Sequence, residues 1–188
     1  MKEETTKVGR FAEAFPFCGF LFLEGEFLGQ EHLVSIYERE LKYHMKIAVI
    51  DGQGGGIGKV LTEKIRKHFG DTVELLVLGT NAVATALMIK AGADDGASGE
   101  NAIIYNAAKV DVIVGPLGIV VPCAMLGEIT PRIAEAVASS PAPKLLLPLT
   151  RGNLSIVSSK PEPLPHLIVE LIDQLNRLIQ KGEENKNV

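Results

Sequence analysis

The sequence predicts an α/β fold with a doubly wound, mainly parallel sheet. From Met45 onward, short apolar runs alternate with segments of helical periodicity. The runs at 47–50, 112–114 and 145–147 are apolar at every position, as in strands covered by helices on both faces. A turn with five glycines, within residues 52–58, follows the first of these runs. Together these features favour a three-layer sandwich of helices around one sheet.

Each predicted strand is an apolar run, and each predicted helix places apolar residues three or four positions apart. In chain order the predicted elements are strand 46–50, helix 57–69, strand 73–78, helix 81–91, a short strand or turn near 94–97, helix 100–108, strand 111–115, helix 122–139, strand 144–149, an extended piece at 154–158 and helix 164–180. Right-handed crossovers favour the strand order 3-2-1-4-5. The ligand is then expected at the carboxyl edge of the sheet, beside the first strand.

Composition narrows the classes of protein. The 188 residues, 46% of them hydrophobic and 22% charged, suffice for one domain with a core, which we expect at 45–181 with a tail at 182–188. A net charge of -4 without a basic run argues against nucleic acid as a partner. Cys18 and Cys123 form no CxxC pair, and no apolar segment has the length of a membrane span. We therefore expect a cytoplasmic protein that binds no membrane.

The first 44 residues differ from the rest of the chain. They contain six of the seven phenylalanines and show neither a clear helical period nor a sustained strand alternation. Met45 directly precedes the first predicted strand. We expect residues 1–44 to be an N-terminal extension that is disordered, or leader sequence before a natural start at Met45.

The glycine turn indicates a phosphate-binding site. Glycine allows positive φ and a close approach of backbone to ligand, and the first N–H groups of the following helix point toward a bound anion. The residues expected to contact a nucleotide or another phosphorylated ligand there are Asp51, Gly52, Gln53, Gly54, Gly55, Gly56, Ile57 and Gly58. Asp51 could coordinate a cation beside the phosphates or accept from a ribose. The structural alternative, which we favour, is that it accepts hydrogen bonds from the N–H groups of the turn itself.

The glycine spacing matches no cofactor motif completely. Ile57 stands where the third glycine of GxGxxG would fall. A P-loop is disfavoured, because Gln53 takes the place of its first glycine and Val60 follows Lys59 in place of serine or threonine. The spacing resembles the TGxxxGIG turn of short-chain dehydrogenases, with Asp51 in place of the threonine. Tyr105 and Lys109 have the spacing of that family's catalytic pair, but they precede the fourth strand, so we interpret them as a coincidence.

Other candidate binding residues follow the remaining strands. Thr80 and Asn81 end the second strand, where an acidic residue would bind the ribose of NAD; they could bond a ribose or cap the next helix. Gly115 ends the fourth strand and is expected near the base or nicotinamide of the ligand. Arg151 follows the fifth strand and is the predicted clamp for a phosphate or carboxylate.

Two residues are candidates for acid/base chemistry. His166 begins the final helix, and Glu128 lies before Thr130-Pro131, a helix start with proline at its first position. Each has a structural alternative: a surface histidine at a helix start, and a solvated carboxylate in a break between helical pieces. No cluster has the spacing of metal ligands, so no metal is predicted.

Residues 45 to about 175 resemble an uncharacterised bacterial family, domain of unknown function 3842. The resemblance is carried by the strings IAVIDGQGGGIGK, LGTNAVAT, KAGADDGASGENAI, VDVIVGPLGIV, LGEITPRIAEAVASS and EPLPHL. It implies a Rossmann-like fold with no assigned activity, and it leaves residues 1–44 outside.

The function expected from the sequence is binding of a nucleotide, dinucleotide or other phosphorylated small molecule, with NAD(P) among the cofactors considered. A non-enzymatic sensor or scaffold is the alternative, and an NAD(P)-dependent oxidoreductase with atypical cofactor contacts is a third. The final helix carries a broad apolar stripe that includes Leu164, Ile168, Leu171, Leu175 and Leu178, which predicts sheet packing and also allows a homo-oligomer.

Overall fold

The structure is a computed structural model that describes residues 45–149, 154–156 and 162–186, with side chains described as far as residue 181. The predictions for residues 1–44 and for Arg151 lie outside these ranges. The strands are β1 (Met45–Asp51), β2 (Val73–Gly79), β3 (Asp95–Ser98), β4 (Val112–Pro116) and β5 (Lys144–Leu147). The α-helices are α1 (Gly56–Phe69), α2 (Ala82–Lys90), α3 (Glu100–Ala107), α4 (Pro131–Ser139) and α5 (Leu164–Lys186).

The five strands form one parallel sheet in the order β3-β2-β1-β4-β5, which confirms the predicted fold class and strand order. The register brings the carboxyl ends of the first three strands together, because Asp51 pairs with Gly79 and Gly79 pairs with Ser98. The strand order reverses at β1. The helix that follows β2 packs on one face of the sheet, and the helix that follows β4 packs on the other face. The glycine turn therefore lies at the switch point of the sheet.

Alternate residues of each central strand point to opposite faces of the sheet, and each face has its own core. On one face, Ile47 and Val49 of β1 pack with residues of α1, α2 and α5. On the other face, Ala48 and Ile50 pack with residues of α3 and α4. This is the three-layer arrangement that uniformly apolar strands predict.

One predicted helix is wrong over half of its length. Residues 122–139 were expected to be helical, but α4 begins only at Pro131. Cys123, Met125 and Leu126 have φ of 63°, 55° and 59°, which no α-helix accommodates. Thr130 is the N-cap of α4 and accepts a hydrogen bond from the N–H of Ile133, as the Thr-Pro pair indicates.

The apolar stripe of α5 packs against the sheet. Leu167, Ile168, Leu171, Ile172 and Leu175 are buried in the same cluster as β1 and α1. The helix continues to Lys186, so the predicted tail at 182–188 is helical for most of its length. Self-association through α5 stays a prediction. Among the described helices, none is long and apolar enough to cross a membrane.

Candidate functional site

Asp51 holds the glycine turn together from inside. Its side chain is 3% exposed. Oδ1 accepts from the N–H of Gly52 at 2.8 Å, and Oδ2 accepts from the N–H of Gly58 at 2.7 Å. Burial raises the pKa of Asp51, while these backbone hydrogen bonds oppose the rise. The carboxylate therefore bonds the turn itself, which is the structural alternative expected for it.

Gly55 and Gly58 are two of the glycines in the turn that the fold requires. Gly55 has φ of 66°, and a Cβ there would lie 2.6 Å from Cα of Ala84. A Cβ on Gly58 would lie 2.7 Å from Cβ of Asp51 and closer still to Sδ of Met88, because α1 packs tightly on β1 and α2 at this point. These glycines shape the backbone and the packing, whether or not a ligand binds.

Gly54 and Gly56 differ from the other glycines of the turn. A Cβ at either position meets no atom within 4 Å, and neither has a positive φ. Both residues are exposed, and within the described part of the chain their N–H groups donate to no protein acceptor. Gly56 is the first residue of α1, so its N–H belongs to the positive end of a 14-residue helix. Packing and backbone conformation therefore do not explain why glycine occupies these two positions.

Glu128 joins three loops at the same edge of the sheet. Its Oε2 accepts from the N–H of Gln53 at 2.7 Å, from Nδ2 of Asn81 at 3.0 Å and from the hydroxyl of Thr80. These donors follow β1 and β2, whereas Glu128 lies in the long connection after β4. One carboxylate thus fixes the ends of three loops that meet at the switch point.

The hydrogen bonds of Glu128 also set its proton affinity. Partial burial raises its pKa, but the bonds from Thr80, Gln53 and Asn81 outweigh this effect and hold the pKa below its usual value. A carboxylate with a lowered pKa and an occupied oxygen is a weak proton acceptor. The geometry therefore favours a positioning role for Glu128 over the general-base role considered from the sequence.

A cleft of about 970 Å³ opens beside the glycine turn, within the usual size range of small-molecule sites. It is bordered by the turn, by the connection after β4 and by residues that follow β5. The lining residues are Asp51, Gly52, Gln53, Gly54, Gly55, Gly56, Ile57, Pro116, Gly118, Val121, Pro122, Cys123, Ala124, Met125, Leu126, Leu149 and Leu154. Asp51 is the only charged residue among these described lining residues, and its carboxylate is bound by the turn.

Unusual backbone conformations concentrate around this cleft. Within the described residues, four non-glycine residues have a positive φ, and all four line the cleft. They are Gln53, Cys123, Met125 and Leu126. Leu126 is 97% exposed, which is unusual for a large apolar side chain in a costly conformation. Such strain is more common at functional sites than elsewhere.

Of Thr80 and Asn81, only Asn81 has the helix-capping role that was considered for both. Asn81 is the N-cap of α2, because its Oδ1 accepts from the N–H of Ala84 at 2.9 Å. Thr80 caps no helix and donates to Glu128 instead. Gly115 is buried within β4, where a Cβ would lie 2.5 Å from the carbonyl oxygen of Ile50. Its glycine is explained by the contact between strands, and it is not among the lining residues.

The other candidates lie away from the cleft. The side chain of His166 is 72% exposed and lies 3.3 Å from Glu162, and His166 is not among the lining residues. Lys109 Nζ lies 3.0 Å from the ring centroid of Tyr105, which is exposed on α3 and lines no part of the cleft. Among the described residues, no group of three or more His, Cys, Asp or Glu side chains could hold a metal ion.

Sequence reasoning missed the apolar wall of the cleft. Residues 121–126 were assigned mostly to a helix, so their side chains were not expected at the ligand site. The sequence also does not predict that Leu149 and Leu154, which flank Arg151 in sequence, line the cleft. Pro122 and Gly127 were the available signals, since each disfavours the interior of a helix.

A doubly wound parallel sheet with a glycine turn after its first strand defines a Rossmann-like α/β protein. Within that class, the chain belongs to the family described as Domain of unknown function (DUF3842), whose profile matches residues 46–180. The match covers every strand in the described part of the chain, apart from Met45 at the start of β1. No curated protein matches the sequence.

Proposed function

We propose that this protein binds a nucleotide or another phosphorylated small molecule in the cleft, with the phosphate at the glycine turn. The main support is the pair Gly54 and Gly56, whose N–H groups are free within the described chain and whose missing side chains the fold does not require. Both residues line the cleft. The start of α1 adds a favourable dipole for an anion.

The charge balance of the site is part of the proposal. The carboxylate of Asp51 faces inward and accepts from the N–H groups of Gly52 and Gly58. It does not use the N–H groups of Gly54 and Gly56, which have no acceptor within the described ranges. Arg151 lies in sequence between the lining residues Leu149 and Leu154, and we propose it as the counter-cation of the phosphate.

A regulatory binding protein is the version of this function that the geometry favours. Glu128 is held by three donors, and His166 pairs with Glu162 outside the cleft. Neither residue offers the positioned acid or base that an enzyme would need. Ligand binding would then change the glycine turn and the loop that Glu128 attaches to it.

The test measures binding to phosphorylated probes by thermal shift. We expect wild type to be stabilised by at least one of FMN, AMP, NADH and ATP, by about 2.7 kcal/mol at a ligand concentration of 100 Kd. For a chain of this length, that corresponds to a rise in Tm of roughly 5–10 °C. If none of these probes stabilises the wild-type protein, the proposed function is contradicted.

Two alanine variants locate the site. Gly56→Ala should keep the stability of the fold, because the added methyl group meets no protein atom, but it should weaken probe binding by about tenfold or more. Asn101→Ala is the matched control, since Asn101 is exposed in the first turn of α3 and lines no part of the cleft. Equal affinity of Gly56→Ala and wild type would place the phosphate elsewhere.

A further inference from the structure

We infer that the ligand is a phosphate monoester with one uncharged, largely apolar body, such as a mononucleotide, and that an extended dinucleotide does not fit. This inference rests on the proposed function, because it concerns the same cleft. It is carried by a different observation, the closure of one half of the switch point by the chain itself.

In an open doubly wound sheet, a dinucleotide spans the switch point from the end of the second strand to the end of the fourth. In this protein, side chains of other loops occupy the middle of that path, next to Gly52, which directly follows β1. A Cβ on Gly52 would lie 2.6 Å from Oγ1 of Thr80, 2.8 Å from Sδ of Met125 and 2.9 Å from Oε2 of Glu128. Side chains from two other loops therefore pack directly on the turn.

The hydrogen bonds of Glu128 close the half of the switch point that lies beside β2. The connection after β4 crosses the turn, and Glu128 bonds Thr80 and Asn81 at the end of β2. The same oxygen accepts from the N–H of Gln53, so this donor of the turn is already used. A nucleoside at the end of β2 would have to displace Glu128 and break all three bonds.

The open half of the site has the matching chemistry. The described lining residues come from the end of β1 and the turn, from the end of β4 and the connection after it, and from positions 149 and 154. None of them comes from β2 or β3. Val121, Met125, Leu149 and Leu154 form much of its wall. These side chains suit an apolar or neutral ring, while Gly54 and Gly56 offer N–H groups to a single phosphate.

The test compares matched pairs of probes on the full chain by isothermal titration calorimetry. FMN is paired with FAD, and reduced nicotinamide mononucleotide is paired with NADH. We expect at least one mononucleotide to bind, and the dinucleotide of its pair to bind at least tenfold more weakly, because it would have to displace Glu128. A dinucleotide that binds as tightly as its mononucleotide, or more tightly, would show that the switch point accepts the longer ligand, and would overturn the inference.

The outcomes also separate this inference from the proposed function. Riboflavin is the control without phosphate and should bind at least tenfold more weakly than FMN, a difference of about 1.4 kcal/mol. If none of FMN, AMP, NADH and ATP binds, or if riboflavin binds as tightly as FMN, the phosphate site itself is refuted. Tighter dinucleotide binding refutes only the closure of the β2 half.

A structural readout gives an independent result. In methyl NMR spectra, a bound mononucleotide should shift the signals of Met125, Leu149 and Leu154. It should leave those of Thr80, which follows β2, and of Thr85 in α2 nearly unchanged. Large shifts of Thr80 with small shifts of Leu149 would place the ligand in the half that we infer to be closed.

Discussion

Replacing Asp51 tests how the glycine turn is held in shape. In the variant Asp51→Asn, the side chain keeps its size but offers one acceptor oxygen in place of two. The carboxylate accepts from Gly52 at 2.8 Å and from Gly58 at 2.7 Å, so one of these N–H groups would face the new amide group, which is itself a donor. A buried donor without an acceptor costs about 1–3 kcal/mol.

Removing the buried charge offsets part of this loss, because burial disfavours the ionised form of Asp51. We therefore expect the free energy of unfolding of Asp51→Asn to fall by about 1 kcal/mol, the lower end of that range, and that of Asp51→Ala to fall further, since both acceptors are lost. Urea unfolding followed by circular dichroism measures both values, with an unchanged m-value as the check on two-state behaviour. A change below about 0.5 kcal/mol in Asp51→Asn would refute the role of the carboxylate as the internal acceptor of the turn.

Three further predictions concern the same edge of the sheet. Because the pKa of Glu128 is lowered on folding, its stabilising contribution is present above the ordinary carboxyl pKa and is lost as the pH falls through the lowered value. In urea unfolding, Glu128→Gln should therefore lose more stability at about pH 7 than at about pH 3, and a loss independent of pH would contradict this assignment. Gly58→Ala should lose about 1–3 kcal/mol through overpacking against Met88, whereas Gly56→Ala should melt near the wild-type temperature; similar melting of both variants would show that α1 does not pack as described. Asn81→Ala should lose about 0.5–2 kcal/mol with the N-cap of α2, and a thermal melt unchanged from wild type would remove the cap.

The sheet could be predicted because its strands carry a strong local signal. Residues 47–50 are all fully buried, and their neighbours in β2 and β4 are equally apolar, so a covered parallel sheet follows from composition alone. The strand order then follows from the handedness of the crossovers. Thr130-Pro131 likewise marked the start of α4, because its cap and its proline act locally.

The connection after β4 could not be predicted in the same way. Its apolar residues fit a helical pattern, and nothing in their composition indicates positive φ at Met125 and Leu126. The bonds from Glu128 to Thr80 and Gln53 join positions 48 and 75 residues apart, so local patterns carry no information about them. The wall of the cleft follows from these distant contacts.

The glycine turn illustrates a second limit of sequence reasoning. Five glycines predict a close approach of backbone, but the sequence does not show which of them the fold itself requires. In the structure, Gly52, Gly55 and Gly58 are explained by backbone conformation or packing, whereas neither explains Gly54 and Gly56. This division assigns the proposed phosphate site to two N–H groups.

Backbone amide NMR of the native chain during titration with FMN tests the central claim most directly. The N–H groups of Gly54 and Gly56 donate to no acceptor among the described residues, whereas those of Gly52 and Gly58 donate to Asp51. We predict that the amide signals of Gly54 and Gly56 move downfield most strongly as the phosphate accepts their hydrogen bonds. FMN binding that leaves both signals in place would contradict a phosphate site at the glycine turn.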